Sequence, residues 1–329
     1  MFKKGLTILL IAFVALTGVF ASGTSEKSSS DLTTLRVAYM PNYASLCSVI
    51  AADEIGAFAE EGLKIELIEF ADGPTIINAM DGGSVDIGYI GHGAHKLCIN
   101  GRAKIFAFSH VGNGDAIIGA KGIDSIEDLR GKKVGYASGS SSEVILTWAL
   151  EEAGMTMDDI VAMEMDASAI TTAMLSGSLD ACALWSPATF TILEGMKDAK
   201  VLADNVTFSD KSASVASWIV TSKWAEENRD LLVRFNRALN KGVDYRADEN
   251  NYRQVSEWVA KKLGADVEVV YQQRGDAEWL TSAEVLEQIE DGTIEKLYEV
   301  QKKSFGDLVD QNTPVSDYVL FDIMIESAR

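Results

Sequence analysis

Two stretches, INAMDGGSVDIGYIG (77–91) and TTAMLSGSLDACALW (171–185), both read Ala-Met-x-x-Gly-Ser-x-Asp and then an apolar run. They lie 94 positions apart. In each, a helix with its methionine turned to a core ends at a glycine, Gly83 or Gly177, which supplies the left-handed residue of a C-cap. Asp86 or Asp180 then opens a strand. A second pair occurs in the same order at an offset of 97: LRVAYMPNYAS (35–45) and KKVGYASGSSS (132–142). Both read as a strand carrying Val-x-Tyr, a polar loop and a helix start. One such match arises by chance. Two, in order and at nearly equal offsets, predict two lobes of related topology.

Outward from these pairs, strand and helix signals alternate from Leu35 to about Val201, the pattern of parallel βαβ units. From Lys223 onward apolar residues recur at three-and-four spacing, so the chain is nearly all helical. Ser125 is a plausible N-cap for a short helix opening the second lobe. The expected fold is α/β with two lobes, each a mostly parallel sheet flanked by helices. One lobe takes residues 34–121 and 218–329, the other 122–217. Crossings near Lys121 and near Ser217–Ser222 would form a hinge.

The first residues, MFKKGLTILLIAFVALTGVFASG, have two lysines, a short apolar run and a small-residue cleavage pattern, which predicts a secretory signal peptide over 1–21. If uncleaved it would act as a membrane tether. Residues 22–33 read as a flexible linker. About 300 residues remain, enough for two cores. Forty-nine acids against 29 bases give a net charge of −20, which argues against nucleic acid as a partner. Cys47, Cys98 and Cys182 are too sparse for a disulfide framework and read as buried small hydrophobes.

Ligands of parallel α/β sheets sit beyond the carboxyl ends of the strands. Four loops qualify: Pro41–Ser45, Gly91–His95, Ser138–Ser142 and Trp185–Ala188. With two in each lobe, all four would line one cleft. Asn42 and Ser45 are polar contacts from the first, and Gly91, His92 and His95 come from the second. In the third, a capping box is expected, with Ser140 accepting from the amide of Glu143 and Glu143 reaching back to the amide of Ser140. That uses one serine, so Ser140, Ser141 and Ser142 together are expected to hold an acceptor group of a ligand at the helix N-terminus. Glu143, if it faces the cleft, would take an ammonium or a ring nitrogen. Trp185 would wall the ligand. The loops contain neither Lys nor Arg, which suits a zwitterion or a neutral polar ring better than a bare anion. His92, His95 and Cys98 invite a metal reading, but no fourth ligand is in view, and no metal or cofactor is assigned. His110 is read as structural. Nucleophile and metalloprotease motifs are absent, so the chain is not read as an enzyme.

The segments EFADGPTIINAMDGGSVDIGYIG (69–91), SIEDLRGKKVGYASGSSSEVILTWALEEAG (125–154), GSLDACALWSPA (177–188) and SWIVTSKWAEENRDLLVRF (217–235) resemble the periplasmic solute-binding proteins for nitrate, sulfonates, taurine and thiamine-pyrimidine precursors. The resemblance implies a type II binding-protein fold that closes on a small molecule and delivers it to an ABC permease with its ATPase, outside the cytoplasm. It implies a small sulfonate or taurine-like solute, with a pyrimidine precursor as the alternative. A ligand sensor and a metal-binding receptor are the rival classes. Two positions depart from the sulfonate pattern, both in the expected pocket. Trp185-Ser186-Pro187 stands where Trp-Asp-Pro is usual, and His92 and His95 replace small residues and a proline.

Overall fold

The computed structural model describes residues 32–208 and 213–329. The expected signal peptide and most of the expected linker lie outside the described residues. Strand β1 (Thr33–Tyr39) is followed by α1 (Tyr43–Glu54), α2 (Ala57–Glu60), β2 (Leu63–Glu69), α3 (Gly73–Asp81), β3 (Ile87–Ile90), a 3-10 turn His92–Ala94, α4 (His95–Ile99) and β4 (Lys104–Val111). Next come β5 (Asp115–Gly119), β6 (Lys133–Tyr136), α5 (Ser141–Glu152), β7 (Val161–Glu164), α6 (Ala167–Leu175), β8 (Ala181–Trp185), α7 (Ala188–Gly195), β9 (Lys200–Asp204) and β10 (Val215–Val220). The rest is helical, from α8 (Ser222–Glu227) and α9 (Arg229–Ala247) through α10 (Tyr252–Leu263) to the helix Phe321–Ala328.

The strands form two five-stranded sheets, ordered β2-β1-β3-β10-β4 and β7-β6-β8-β5-β9. In each, one strand runs against its neighbours, β10 in the first and β5 in the second. These two are the strands that have just crossed from the other sheet. The sequence-based boundaries therefore move. Residues 115–119, assigned to the first lobe, pair with β8 and β9. Residues 215–220, which straddle the expected boundary at 217/218, lie wholly in the first sheet. The chain crosses at 112–114 and again between β9 and β10. DAIIG is an apolar run with no turn signal inside it, so nothing local shows to which sheet it belongs.

The repeat is physical. Asp86 accepts from the backbone N–H of Arg36 at 2.8 Å, and Asp180 from that of Lys133 at 2.8 Å. Each aspartate thereby ties its strand to the first strand of its own sheet. Gly83 and Gly177 both take φ +72 and donate their N–H to Met80 and Met174, closing α3 and α6 as the sequence predicts. Ser125 does not cap a helix: its N–H and that of Asp124 bond the Asp128 carboxylate ahead of a 3-10 turn.

The first sheet shares one core with the C-terminal helices, and the second has an apolar cluster on each face. On α9, Leu232, Phe235, Leu239 and Val243 are buried on one side, which packs on α1. Each such side chain contributes about 1.5–3 kcal/mol relative to exposure. The three cysteines are free and buried.

Candidate binding cleft

The carboxyl ends of the parallel strands β1, β3, β6 and β8 converge on one cavity between the two sheets, with about 680 Å³ of empty space including its mouth. Six of the ten sequence-predicted residues line it: Asn42, Gly91, His92, Ser140, Ser141 and Trp185. The starts of α1, α3 and α5 reach it through Asn42, Gly73 and Ser141, so helix N-termini turn their partial positive charge toward it. Among the described lining residues there is neither Lys nor Arg.

Four predicted residues do not line the cavity. Ser45 and Ser142 are fully buried and hold the strand-to-helix loops shut. Ser45 Oγ accepts from Met40 N at 3.1 Å, and Ser142 Oγ accepts from Ala137 N at 3.0 Å, the same bond in each half of the repeat. The capping box takes a different form. Ser140 Oγ accepts from Ser142 N rather than Glu143 N, and Glu143 reaches back to Gly139 N at 2.8 Å rather than to Ser140. The other claim on Glu143 is Lys96 Nζ at 3.4 Å, a bond between the two halves of the molecule. His95 is also structural. Its Nδ1 meets the carbonyls of Gly91 and His92, and its Nε2 meets Ser217 Oγ at 2.9 Å.

His92 does line the cavity, but both ring nitrogens are engaged, Nδ1 with the Ala213 carbonyl at 3.1 Å and Nε2 with Ser304 Oγ at 3.3 Å. Burial, with a smaller effect from His95, lowers its pKa to about 3. It is a neutral wall, edge-on to Trp148 across the cleft. Among the described residues no group of three or more His, Cys, Asp or Glu is arranged to hold a metal ion.

Sequence reasoning missed the acidic side of the site. Asp115 opens β5 and is 6% exposed. Ser141 Oγ donates to its Oδ1 at 2.5 Å and Asn205 Nδ2 to its Oδ2 at 3.1 Å. Burial raises its pKa, and these two donors partly offset the rise. Asp276 arrives from the helical C-terminal region. Its carbonyl accepts from Asn113 N at 2.7 Å, and its carboxylate accepts from the Ser186 hydroxyl. Burial pushes its pKa up to about 7, the Ser186 bond pulls it down, and the nearby Asp115 adds to the rise. His110, read as structural, also lines the cavity, with Nδ1 3.0 Å from Ser109 Oγ. No local signal marks these three: Asp276 lies far from every recognised loop, and Asp115 opens a strand that the sequence left unassigned.

The two halves touch across the cleft. A Cβ placed on Gly93 would lie 2.2 Å from the Ser140 carbonyl carbon and oxygen, and one on Gly139 would lie 3.0 Å from Pro74 Cγ. With the Lys96–Glu143 and Ser186–Asp276 bonds, these contacts define a closed arrangement.

Residues 44–251 match the family model described as NMT1/THI5 like. A Brucella abortus protein described only as a binding protein is 32% identical over 260 residues, covering 79% of this chain and 81% of that protein. The taurine-binding periplasmic protein of Escherichia coli is 29% identical over 206 residues, covering 61% of this chain and 63% of that one. In fold, the chain is similar to the alkanesulfonate-binding protein of Xanthomonas axonopodis pv. citri bound to MOPS, with a TM-score of 0.67 and 20% identity over 87% of this chain and 98% of that one.

Proposed function

The chain belongs to the NMT1/THI5-like family, and from that premise we propose that it is the solute-binding subunit of an ABC importer for a small taurine-like zwitterion. The observation that carries the choice of ligand is the polarity of the cleft. The N-termini of α1, α3 and α5 open onto it, Ser141 there bonding Asp115, and Asp72, Asp115 and Asp276 line it with no lysine or arginine. An anionic group is held by the helix dipoles, and an ammonium by the carboxylates. A bare sulfonate or nitrate would meet three acids, Asp72, Asp115 and Asp276, and no compensating cation. The similarity to a taurine-binding protein supports the reading. The protein works as a carrier, not a catalyst. It is exported by its N-terminal signal peptide, hinges at its two chain crossings, and passes the solute to a permease and ATPase. No helix among the described residues is long and apolar enough to cross a membrane.

A second reading has its own support. The rings of Tyr89, His92, His110 and Trp185 all line the cavity. An aminopyrimidine would place its ring among them and its amino group on the acids.

A thermal-shift panel separates the readings. Taurine at a thousandfold excess over its dissociation constant should add about 4 kcal/mol of stability and raise Tm by several degrees. Ethanesulfonate, which lacks only the amino group, should give a far smaller shift. Equal shifts from ethanesulfonate or nitrate would reject the zwitterion. A shift with aminopyrimidines alone would install the second reading.

A further inference from the structure

Two of the three cavity acids, Asp115 and Asp276, come from different parts of the fold. Asp115 begins a strand of the second sheet, while Asp276 lies in the helical C-terminal region, beyond the matched family segment 44–251. Asp276 is nonetheless fastened to the first chain crossing and, through Ser186, to the other half. Asn113 N bonds its carbonyl, Ser186 donates to its carboxylate, and Gly112 bridges to Ala277. Closing the cleft therefore brings a half-buried carboxylate near a buried one, and two ionised carboxylates so placed repel each other. We propose that the closed, ligand-free cleft holds a proton on the Asp115–Asp276 pair, and that a cationic ligand group takes the place of that proton. Binding thus releases a proton at neutral pH and selects for amines. The ligand part rests on the zwitterion reading; the proton part does not.

The surroundings favour this assignment. Facing the pair across the cavity are Asp72, Tyr89, His92 and His110, none of them cationic, since burial lowers the pKa of both histidines to about 3. Two guanidinium groups of this region pack on aromatic rings, although Arg246 Nη1 and Arg274 Nε are buried without a hydrogen-bond partner. Arg246 lies over the Trp279 ring at 4.7 Å with Nε on Ser48, and Arg274 lies over Tyr252 and Tyr271. Lys96 is paired with Glu143. The side chains bonded to the two acids are the hydroxyls of Ser141 and Ser186 and the amide of Asn205. Burial and the neighbouring Asp115 hold Asp276 at about 7, so the proton is exchangeable near neutrality.

The sign follows from linkage. A carboxyl whose folded pKa is raised binds its proton more tightly in the folded state, so stability falls as pH rises from about 3.8 to about 7. The buried histidines act in the opposite sense below about 6.5. The comparison between variants, rather than the absolute slope, therefore carries the test. Tm of the ligand-free protein is measured from pH 5 to 8.5 for the wild type and for Asp276→Asn. The wild type should lose about 5 °C more than the variant over that range. In Asp115→Asn the loss should be smaller and end at lower pH, and this guards against a variant that fails to fold. Parallel slopes for all three proteins would overturn the proton. Calorimetry with taurine at pH 7 in two buffers of different ionisation heat should then show release of about half to one proton, abolished in Asp276→Asn. Taurine binding without proton release would also overturn the inference. No binding of taurine would instead reject the zwitterion, with the ligand-free slopes still deciding the proton.

Discussion

Ser141 and Ser142 are neighbours with separate tasks. Ser142 Oγ takes the buried Ala137 N–H and meets Ser140 Oγ at 2.9 Å. Ser141 Oγ is on Asp115, at the cavity wall. Removing the first hydroxyl leaves a buried donor without an acceptor, which costs about 1–3 kcal/mol. Ser142→Ala should therefore lower the denaturant midpoint and leave ligand affinity within about twofold. Ser141→Ala should do the reverse: stability within about 1 kcal/mol, and affinity down by roughly tenfold as Asp115 loses a charge-assisted bond. Chemical denaturation and calorimetry on both variants check the division; a shared phenotype would refute it. From the sequence, the surplus of small polar residues at a helix start was legible, but not which hydroxyl turned inward. That is set by a bond five positions back along the chain, and the repeat partner Ser45 reports it only once the structure is known. Asp276 illustrates a harder limit, because its role comes from packing against residues some 90 and 160 positions away.

Between elements, the decisive contact is that of the 3-10 turn His92–Ala94 with the start of α5. The turn's middle residue, Gly93, lies so close to Ser140 that an added Cβ would fall 2.2 Å from backbone atoms, which cannot swing aside as a side chain does. Gly93 is not in the left-handed region, so the requirement is for space and not for backbone freedom. Gly93→Ala should leave both lobes folded and prevent the two elements from meeting. The expected result is a near-wild-type Tm without ligand, affinity reduced by at least tenfold, and no compaction by X-ray scattering when ligand is added. Wild-type affinity would mean that the turn is free to move aside. The elements themselves were readable from spacing: α3 and α6 close at their glycines. The exception is β5, a short apolar run whose partner strands follow it by more than 60 positions.

At the scale of the molecule, the internal repeat carried the architecture, since equal offsets of loops and aspartates became two sheets with the same plan. The crossings were misplaced because a strand inserted antiparallel into the opposite sheet looks, in sequence, like a continuation of its own. If the two crossings act as hinges, the contacts at the cleft are what separation of the halves would break. One of these contacts can be made covalent. A Cβ on Gly139 would lie 3.9 Å from Pro74 Cβ, within the range of about 3.5–4.5 Å for a disulfide. Pro74 sits in the first turn of α3, where the proline is favourable but replaceable. Gly139 has φ +74, so a side chain there costs about 1–3 kcal/mol. The native cysteines are buried and offer no competing thiol. In Pro74→Cys/Gly139→Cys the bridge should form under mild oxidation, and faster with bound ligand, because ligand increases the closed population. The oxidised protein should scatter as a more compact particle than the reduced, ligand-free one. If it is prepared empty, it should neither take up nor release ligand until a reductant is added. A bridge that forms at the same rate with and without ligand, with no change in scattering on reduction, would mean that the closed arrangement is the only state of the protein, and that ligand enters by a route other than separation of the lobes.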